Sequence, residues 1–114
     1  MYYVYILRCR GGVLYTGITP DPCRRMAAHA GGTGARFTRA HPPEALAALW
    51  RAGDRAEASR MEYAVKKKLD RRGKLALIAR PEDLGQLLPD LAAGPYIPVP
   101  GVTLADLLEG RFDG

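Results

Sequence analysis

At 114 residues, with 47% apolar and 25% charged side chains, the chain has room for one domain with a modest core. That apolar share argues against disorder, and no apolar run approaches the ~18 residues of a membrane span. The net charge of +5 is unevenly spread: residues 1–80 hold 16 Lys and Arg against 6 Asp and Glu, whereas residues 81–114 hold 1 against 6. A basic body suits a polyanionic partner, because each phosphate it neutralises releases counterions. An Arg-rich composition without such a partner fits the totals equally well, so the positions of the charges have to decide.

The opening MYYVYIL reads as a strand and not as a leader, and Tyr2 to Leu7 is β-branched and aromatic without a breaker. Gly11-Gly12 signals a hairpin, with Val13 to Ile18 returning. A turn centred near Arg10 sets Tyr5 opposite Tyr15 on one face. Asp21 as cap, Pro22 at the first position and Gly31-Gly32 at the end predict a helix. Cys23, Met26, Ala27 and Ala30 form its buried stripe, while Arg25 and His29 share another line one turn apart. Two cysteines, Cys9 and Cys23, with no metal-ligand spacing read as reduced small hydrophobes without a disulfide partner, in a cytoplasmic protein.

Residues 31–43 read as a loop carrying Arg36, Phe37, Thr38, Arg39 and His41. EALAALWR, Glu44 to Arg51, favours helix by propensity alone. Asp54 and Glu57 then make a capping-box pattern before a helix reaching Leu69, with Ala58, Met61, Val65 and Leu69 buried. Residues 70–80 predict a short helix with Leu75 and Ile78 inward and a weak start at Gly73, ended by Pro81. Beyond it the character changes: a short amphipathic helix broken by Pro89, an extended YIPVPGV, and a last turn or two capped by Thr103. The expected organisation is a body over residues 1–80 and an acidic tail over 81–114 that packs on it.

Tyr3-Val4-Tyr5, Tyr15-Thr16-Gly17, the Arg25-to-His29 helix and a later helix bearing Glu62 together resemble the GIY-YIG nuclease superfamily. Its small stand-alone bacterial members are the most similar, sharing an LYTGIT run and a motif like Gly34 to Arg39. The resemblance covers residues 2–80. Tyr3 stands in place of the first motif's Gly, Thr16 in place of an Ile, and the Asn that some relatives carry late in the module is absent. The resemblance implies an α/β (α+β) fold, a small, mainly antiparallel three-stranded sheet flanked by helices, in which Ala45 to Trp50 is the third strand. It also implies a metal-dependent endonuclease acting on DNA, in repair or recombination-type processing, with Mg (or Mn) as cofactor and Tyr5 as general base beside Tyr15.

Hydrolysing a phosphodiester requires an activated water, charge on the phosphoryl oxygens and a stabilised leaving oxygen. Glu62 is a carboxylate on a helix beside the core stripe, and Mg²⁺ can be held by one carboxylate, waters and phosphate. The competing reading is an ordinary surface pair with Lys66. Arg25 offers a planar fork for two phosphoryl oxygens or is a solvated helix charge. A free phenol near pKa ~10 costs ~4 kcal/mol to ionise at neutral pH, so Tyr5 needs positive charge beside it; otherwise it and Tyr15 are strand aromatics. His29 relays a proton, touches phosphate, or does neither.

Arg24, Arg36, Phe37, Arg39, Lys66 and Lys67 are the candidates for gripping a strand by charge and stacking. Gly17 joins them as a place of close backbone approach, or merely ends its strand. The charge split also suggests that the tail competes with nucleic acid for the body, against a plainer role of capping an apolar face. Two other functions fit the same sequence: a non-catalytic nucleic-acid module and a protein-interaction module. The form of the DNA, single-stranded or branched, stays open, as does RNA.

Overall fold

The computed structural model describes residues 1–113. Four strands form one antiparallel sheet in the order β2-β1-β3-β4: β1 (Tyr2–Cys9), β2 (Leu14–Thr19), β3 (Pro43–Ala52) and β4 (Ile97–Pro98). Helices α1 (Pro22–Ala30) and α2 (Arg36–Ala40) lie between β2 and β3. Helices α3 (Arg55–Lys68), α4 (Arg71–Ala79) and α5 (Leu84–Leu87) follow β3, and α6 (Leu104–Leu108) comes after β4. The fourth strand corrects the expected three. It comes from the tail, where Ile97 pairs with Arg51 and Pro98 with Trp50.

Strand β1 reads as a nearly continuous apolar run because both its faces are covered. Val4 and Ile6 point to one core with Trp50, Ala58, Met61, Val65 and Leu77; Tyr3, Tyr5, Leu7 and Cys9 point to the other with Met26, Leu49 and Leu107. Helices α3 and α4 cover the first face, α1 and α6 the second. EALAALWR is a strand, as the resemblance implies and contrary to its helix propensity. The gain is burial of Ala48, Leu49 and Trp50, which outweighs the tenths of a kcal/mol per residue that propensity offers.

The hairpin turn carries the Gly11-Gly12 signal, at φ +83° and +77°, but is centred on Gly11 and not near Arg10. Its register shifts accordingly. Tyr5 faces Gly17 and Leu7 faces Tyr15, two residues from the expected pairing; the even offset keeps both phenols on one face. Asp21 caps α1 by accepting from the Arg24 N–H at 3.1 Å. Its buried side is Pro22, Met26 and His29, while Ala27 and Ala30 are exposed, because α1 leans toward the two tyrosines. The expected 31–43 loop contains α2, with Thr38 buried. In α4 it is Leu77, not Leu75, that turns inward; Leu75 is 45% exposed. Asp70 accepts from the Gly73 N–H at 2.8 Å, so that helix is capped despite its glycine.

The tail closes both cores. Leu84, Leu88 and Leu91 join the first; Leu107, with Val99, Val102, Leu104 and Phe112 against it, joins the second. The buried Trp50 donates its indole N–H to the Pro81 carbonyl at 3.1 Å, and Tyr96 donates to the Glu57 carbonyl at 2.7 Å. Among the described residues no helix is long and apolar enough to cross a membrane.

Leu91→Ala and Leu107→Ala should each destabilise the chain by ~2–4 kcal/mol, read from urea unfolding, because each empties a site in a different core. A chain ending at residue 80 should lose cooperative unfolding. An unchanged urea midpoint in that chain would show the tail to be an accessory.

Candidate active site at the rim of the sheet

The sheet ends at β2, and side chains from helices on both of its faces reach that rim. From the second face α1 supplies Arg25 and His29; from the first, α3 supplies Glu62 and Lys66. Strands β1 and β2 set Tyr5 and Tyr15 between them, with ring centroids 6.3 Å apart.

The Tyr5 side chain lies across the backbone of Gly17. A Cβ added at Gly17 would sit 2.6 Å from the Tyr5 Cζ, so no larger residue fits beneath the ring. Gly17 is therefore mid-strand and is the seat of a phenol, which separates the two readings its sequence position left open. Beyond it the Tyr5 hydroxyl meets His29 Nε2 at 2.8 Å, and His29 Nδ1 meets Thr38 Oγ1 at 2.7 Å. Gly34 repeats the device: a Cβ there would lie 2.9 Å from the His29 Cα. Tyr5 and His29 are 1% exposed, as is Thr38.

The electrostatics follow from this burial. Desolvation pushes the Tyr5 phenol up to about 12, with Arg25 pulling it down and Tyr15 and Glu62 adding to the rise. Desolvation, then the charge of Arg25, brings His29 down to about 4, so the imidazole is neutral at pH 7. Arg25 is held above its ordinary value, chiefly by Tyr5 and also by Tyr15. The guanidinium thus lies beside both phenols.

Glu62 pairs with Lys66 through Oε2 at 3.2 Å, its side chain 25% exposed. Lys66 Nζ in turn stands 5.7 Å from the centre of the Tyr15 ring. Glu62 is therefore neither in bulk solvent nor remote from the phenols. Among the described residues no three His, Cys, Asp or Glu side chains come close enough to hold a metal by themselves. A resident zinc does not fit such a site; a hydrated Mg²⁺ or Mn²⁺ fits it through the second oxygen of Glu62, waters and a substrate phosphate.

The structure thus brings Tyr5, Tyr15, Arg25, His29, Glu62 and Lys66 to one rim. Phe37 is there too, 38% exposed, stacked on Tyr15 at 5.6 Å and packed against His41 at 4.8 Å. Arg24, Arg36, Arg39 and Lys67 are exposed, and none of them forms a salt bridge among the described residues. Arg24 lines a groove of about 310 Å³ with Arg25, Asp21 and Ala28. Sequence reasoning passed over Thr38 and Gly34 as parts of the site; their place inside the Gly34 to Arg39 motif was the available signal.

Gly17→Ala should force the Tyr5 ring off His29 and cost ~1–3 kcal/mol in urea unfolding, an overpacking penalty at a fully enclosed position. The buried imidazole makes stability pH-dependent. The unfolded chain binds a proton near 6.5 that folded His29 refuses until about 4. Its contribution is therefore complete above pH 6.5 and lost as pH falls toward 4, by about 3 kcal/mol. Urea midpoints measured from pH 7.5 to 4 should show that slope, and His29→Gln should flatten it.

A family model described as the GIY-YIG catalytic domain matches residues 1–75. The UPF0213 protein XAC3202 of Xanthomonas axonopodis pv. citri is 48% identical over 89 residues, covering 77% of this chain and 86% of that one. The UPF0213 protein BH0048 of Halalkalibacterium halodurans is 43% identical over 95 residues, covering 83% and 88%. The solution NMR structure of the UPF0213 protein BH0048 from Bacillus halodurans aligns with 48% identity and a TM-score of 0.46, over 69% of this chain and 84% of that one. On the matched catalytic domain and these alignments along most of both chains, the chain belongs to the GIY-YIG family, among its small bacterial UPF0213 members.

Proposed function

We propose that this protein is an endonuclease that hydrolyses phosphodiester bonds in DNA with the help of Mg²⁺ or Mn²⁺. The observation that carries the reading is the buried Tyr5–His29 hydrogen bond set beside the Arg25 guanidinium, with the charge of Glu62 acting on the same phenol. A core has no need of a phenol, an imidazole, an arginine and a carboxylate in one place; phosphodiester hydrolysis can use them as a proton acceptor, a charge on the phosphoryl oxygens and a holder for a divalent ion.

In this reading Arg25 holds two phosphoryl oxygens in its planar fork. Tyr5 takes the proton of the attacking water after passing its own to His29 Nε2. With Tyr5 at about 12 and His29 at about 4, that internal transfer is uphill by on the order of 10 kcal/mol in the free protein, so the proton rests on Tyr5. A phosphate bound at Arg25 offsets the positive charge that depresses His29. A divalent ion held by Glu62, when bound, supplies charge that favours the phenolate and stabilises the leaving oxygen. Arg24, Arg36, Arg39, Lys66 and Lys67 grip the backbone of the strand around the site.

The Glu62–Lys66 ion pair favours a second reading, a nucleic-acid-binding module without catalysis, in which Glu62 serves only its helix neighbour. A cleavage panel of linear, single-stranded and branched DNA with Mg²⁺ separates the two. The nuclease should cut, and Glu62→Ala and Arg25→Ala should each lower the rate by at least ~10²-fold, the scale for removing one charge-stabilising group. Binding that persists in Glu62→Ala at unchanged salt dependence assigns the loss to chemistry. Binding without any cleavage by the wild type would leave the module.

A further inference from the structure

We infer that Thr38 is a positioning residue that fixes which nitrogen of His29 carries the proton, and thereby the direction of the hydrogen bond made by Tyr5. The claim about the imidazole stands on geometry alone; its consequence for cleavage rests on the function proposed above.

A hydroxyl has one proton, and a carbonyl oxygen can only accept. Thr38 Oγ1 donates to the Ala35 carbonyl at 3.0 Å, within the first turn of α2. Its 2.7 Å contact with His29 Nδ1 must then be a hydrogen bond that Nδ1–H donates. A neutral imidazole has a single N–H, so Nε2 presents a lone pair, and at 2.8 Å the Tyr5 hydroxyl donates to it. Every bond runs one way: Tyr5 to His29, His29 to Thr38, Thr38 to the backbone. The segment is pressed close enough to enforce this, since Gly34 leaves no room for a Cβ against His29.

The direction decides what His29 can do. With Nε2 bare, the Tyr5 O–H bond breaks as an Nε2–H bond forms, and Nδ1 keeps its own proton, still held by Thr38. The phenolate then takes the proton of the attacking water, and the Nε2 proton departs with the leaving oxygen or to solvent, which restores the starting state. If Nε2 carried the proton instead, it would donate to the Tyr5 oxygen, and His29 could accept nothing from it. Valine matches the shape of threonine but offers Nδ1 no acceptor, so Thr38→Val leaves a buried donor unpaired and frees the other tautomer. Serine keeps the hydroxyl.

The test is a long-range ¹H–¹⁵N spectrum of the imidazoles at pH 7.5, alongside single-turnover cleavage. Only His29 and His41 are present, and His41→Gln assigns the signals. Wild type and Thr38→Ser should show His29 protonated on Nδ1; Thr38→Val should shift it toward Nε2. In cleavage, Thr38→Val should lower kcat by ~10²-fold with KM unchanged, the lower range for a positioned proton acceptor, and Thr38→Ser should restore it. An Nε2-protonated His29 in the wild type would overturn the inference without any variant needing to fold, as would a Thr38→Val protein that keeps both the Nδ1–H pattern and kcat. The expected tautomers in a wild type that cuts nothing would leave the inference standing and remove the nuclease reading.

Discussion

The structure turns on one constraint: a phenol buried to 1% exposure must still find a hydrogen-bond partner for its hydroxyl. Tyr5 points from the central strand toward the rim of the sheet, and everything near it serves that hydroxyl. Gly17 gives the ring a bed, α1 brings His29 to its end, and Thr38 and the Ala35 carbonyl satisfy the imidazole in turn. Such a chain is worth having only when complete, since one unpaired member in a low-dielectric interior costs more than the bond itself contributes. The α1 stripe illustrates the priority. Alanines at helical spacing would bury most simply, yet the helix exposes Ala27 and Ala30 and turns His29 inward.

The buried chain is neutral and the charges lie outside it, an arrangement suited to handling an anion. Burial keeps Tyr5 protonated and His29 deprotonated, and the full charges that act on the phenols include Arg25, Lys66 and Glu62. The Glu62–Lys66 pair bears on both readings of Glu62. A partly exposed helix pair is worth about 1 kcal/mol or less, so exchanging Lys66 for another cation at that carboxylate costs little. Under the proposed function the ion pair and the ligand role would be successive states of one side chain. Lys66 stands over the Tyr15 ring as well as beside Glu62.

Much of this was legible in the residues and some was not, for separable reasons. Caps were readable because they are local: Asp21, Asp54 and Thr103 each accept the expected backbone N–H three residues on, while Asp70 caps a helix whose start was expected to be weak. The face shared by Tyr5 and Tyr15 was readable too, because strand parity survives an even error in register; the pairing itself was not, since the turn is centred on Gly11 and not near Arg10, and each residue of displacement of the centre moves the partner by two. EALAALWR resisted local reasoning because its alanines are chosen for a strand covered on both faces, which propensity cannot register. β4 was legible as extended backbone within YIPVPGV but not as a member of the sheet, because two residues with a proline carry no pairing pattern and its pairing depends on β3 presenting an open edge. Thr38 looked like part of a basic loop; its role appears only when His29 stands above it.

The acidic tail was the strongest compositional signal in the chain, and where its charges go decides what it can do. Of its six carboxylates, five are paired: Glu82 and Asp83 with Arg80, Asp90 with Lys68, and Asp106 and Glu109 with Arg111. The rim cations Arg25 and Lys66, and the exposed Arg24, Arg36, Arg39 and Lys67, are not among those partners. A tail that competed with nucleic acid would hold its carboxylates against exactly those residues, and it spends them on its own joint, its own last helix and the end of α3 instead. What it delivers to the body is apolar: Leu84, Leu88 and Leu91 beneath α3 and α4, Leu107 beneath α1. The tail completes both cores and adds β4 at the sheet edge away from β2, so the acidic end of the sequence is a segment that closes the fold, while the cations of the body stand apart from its carboxylates.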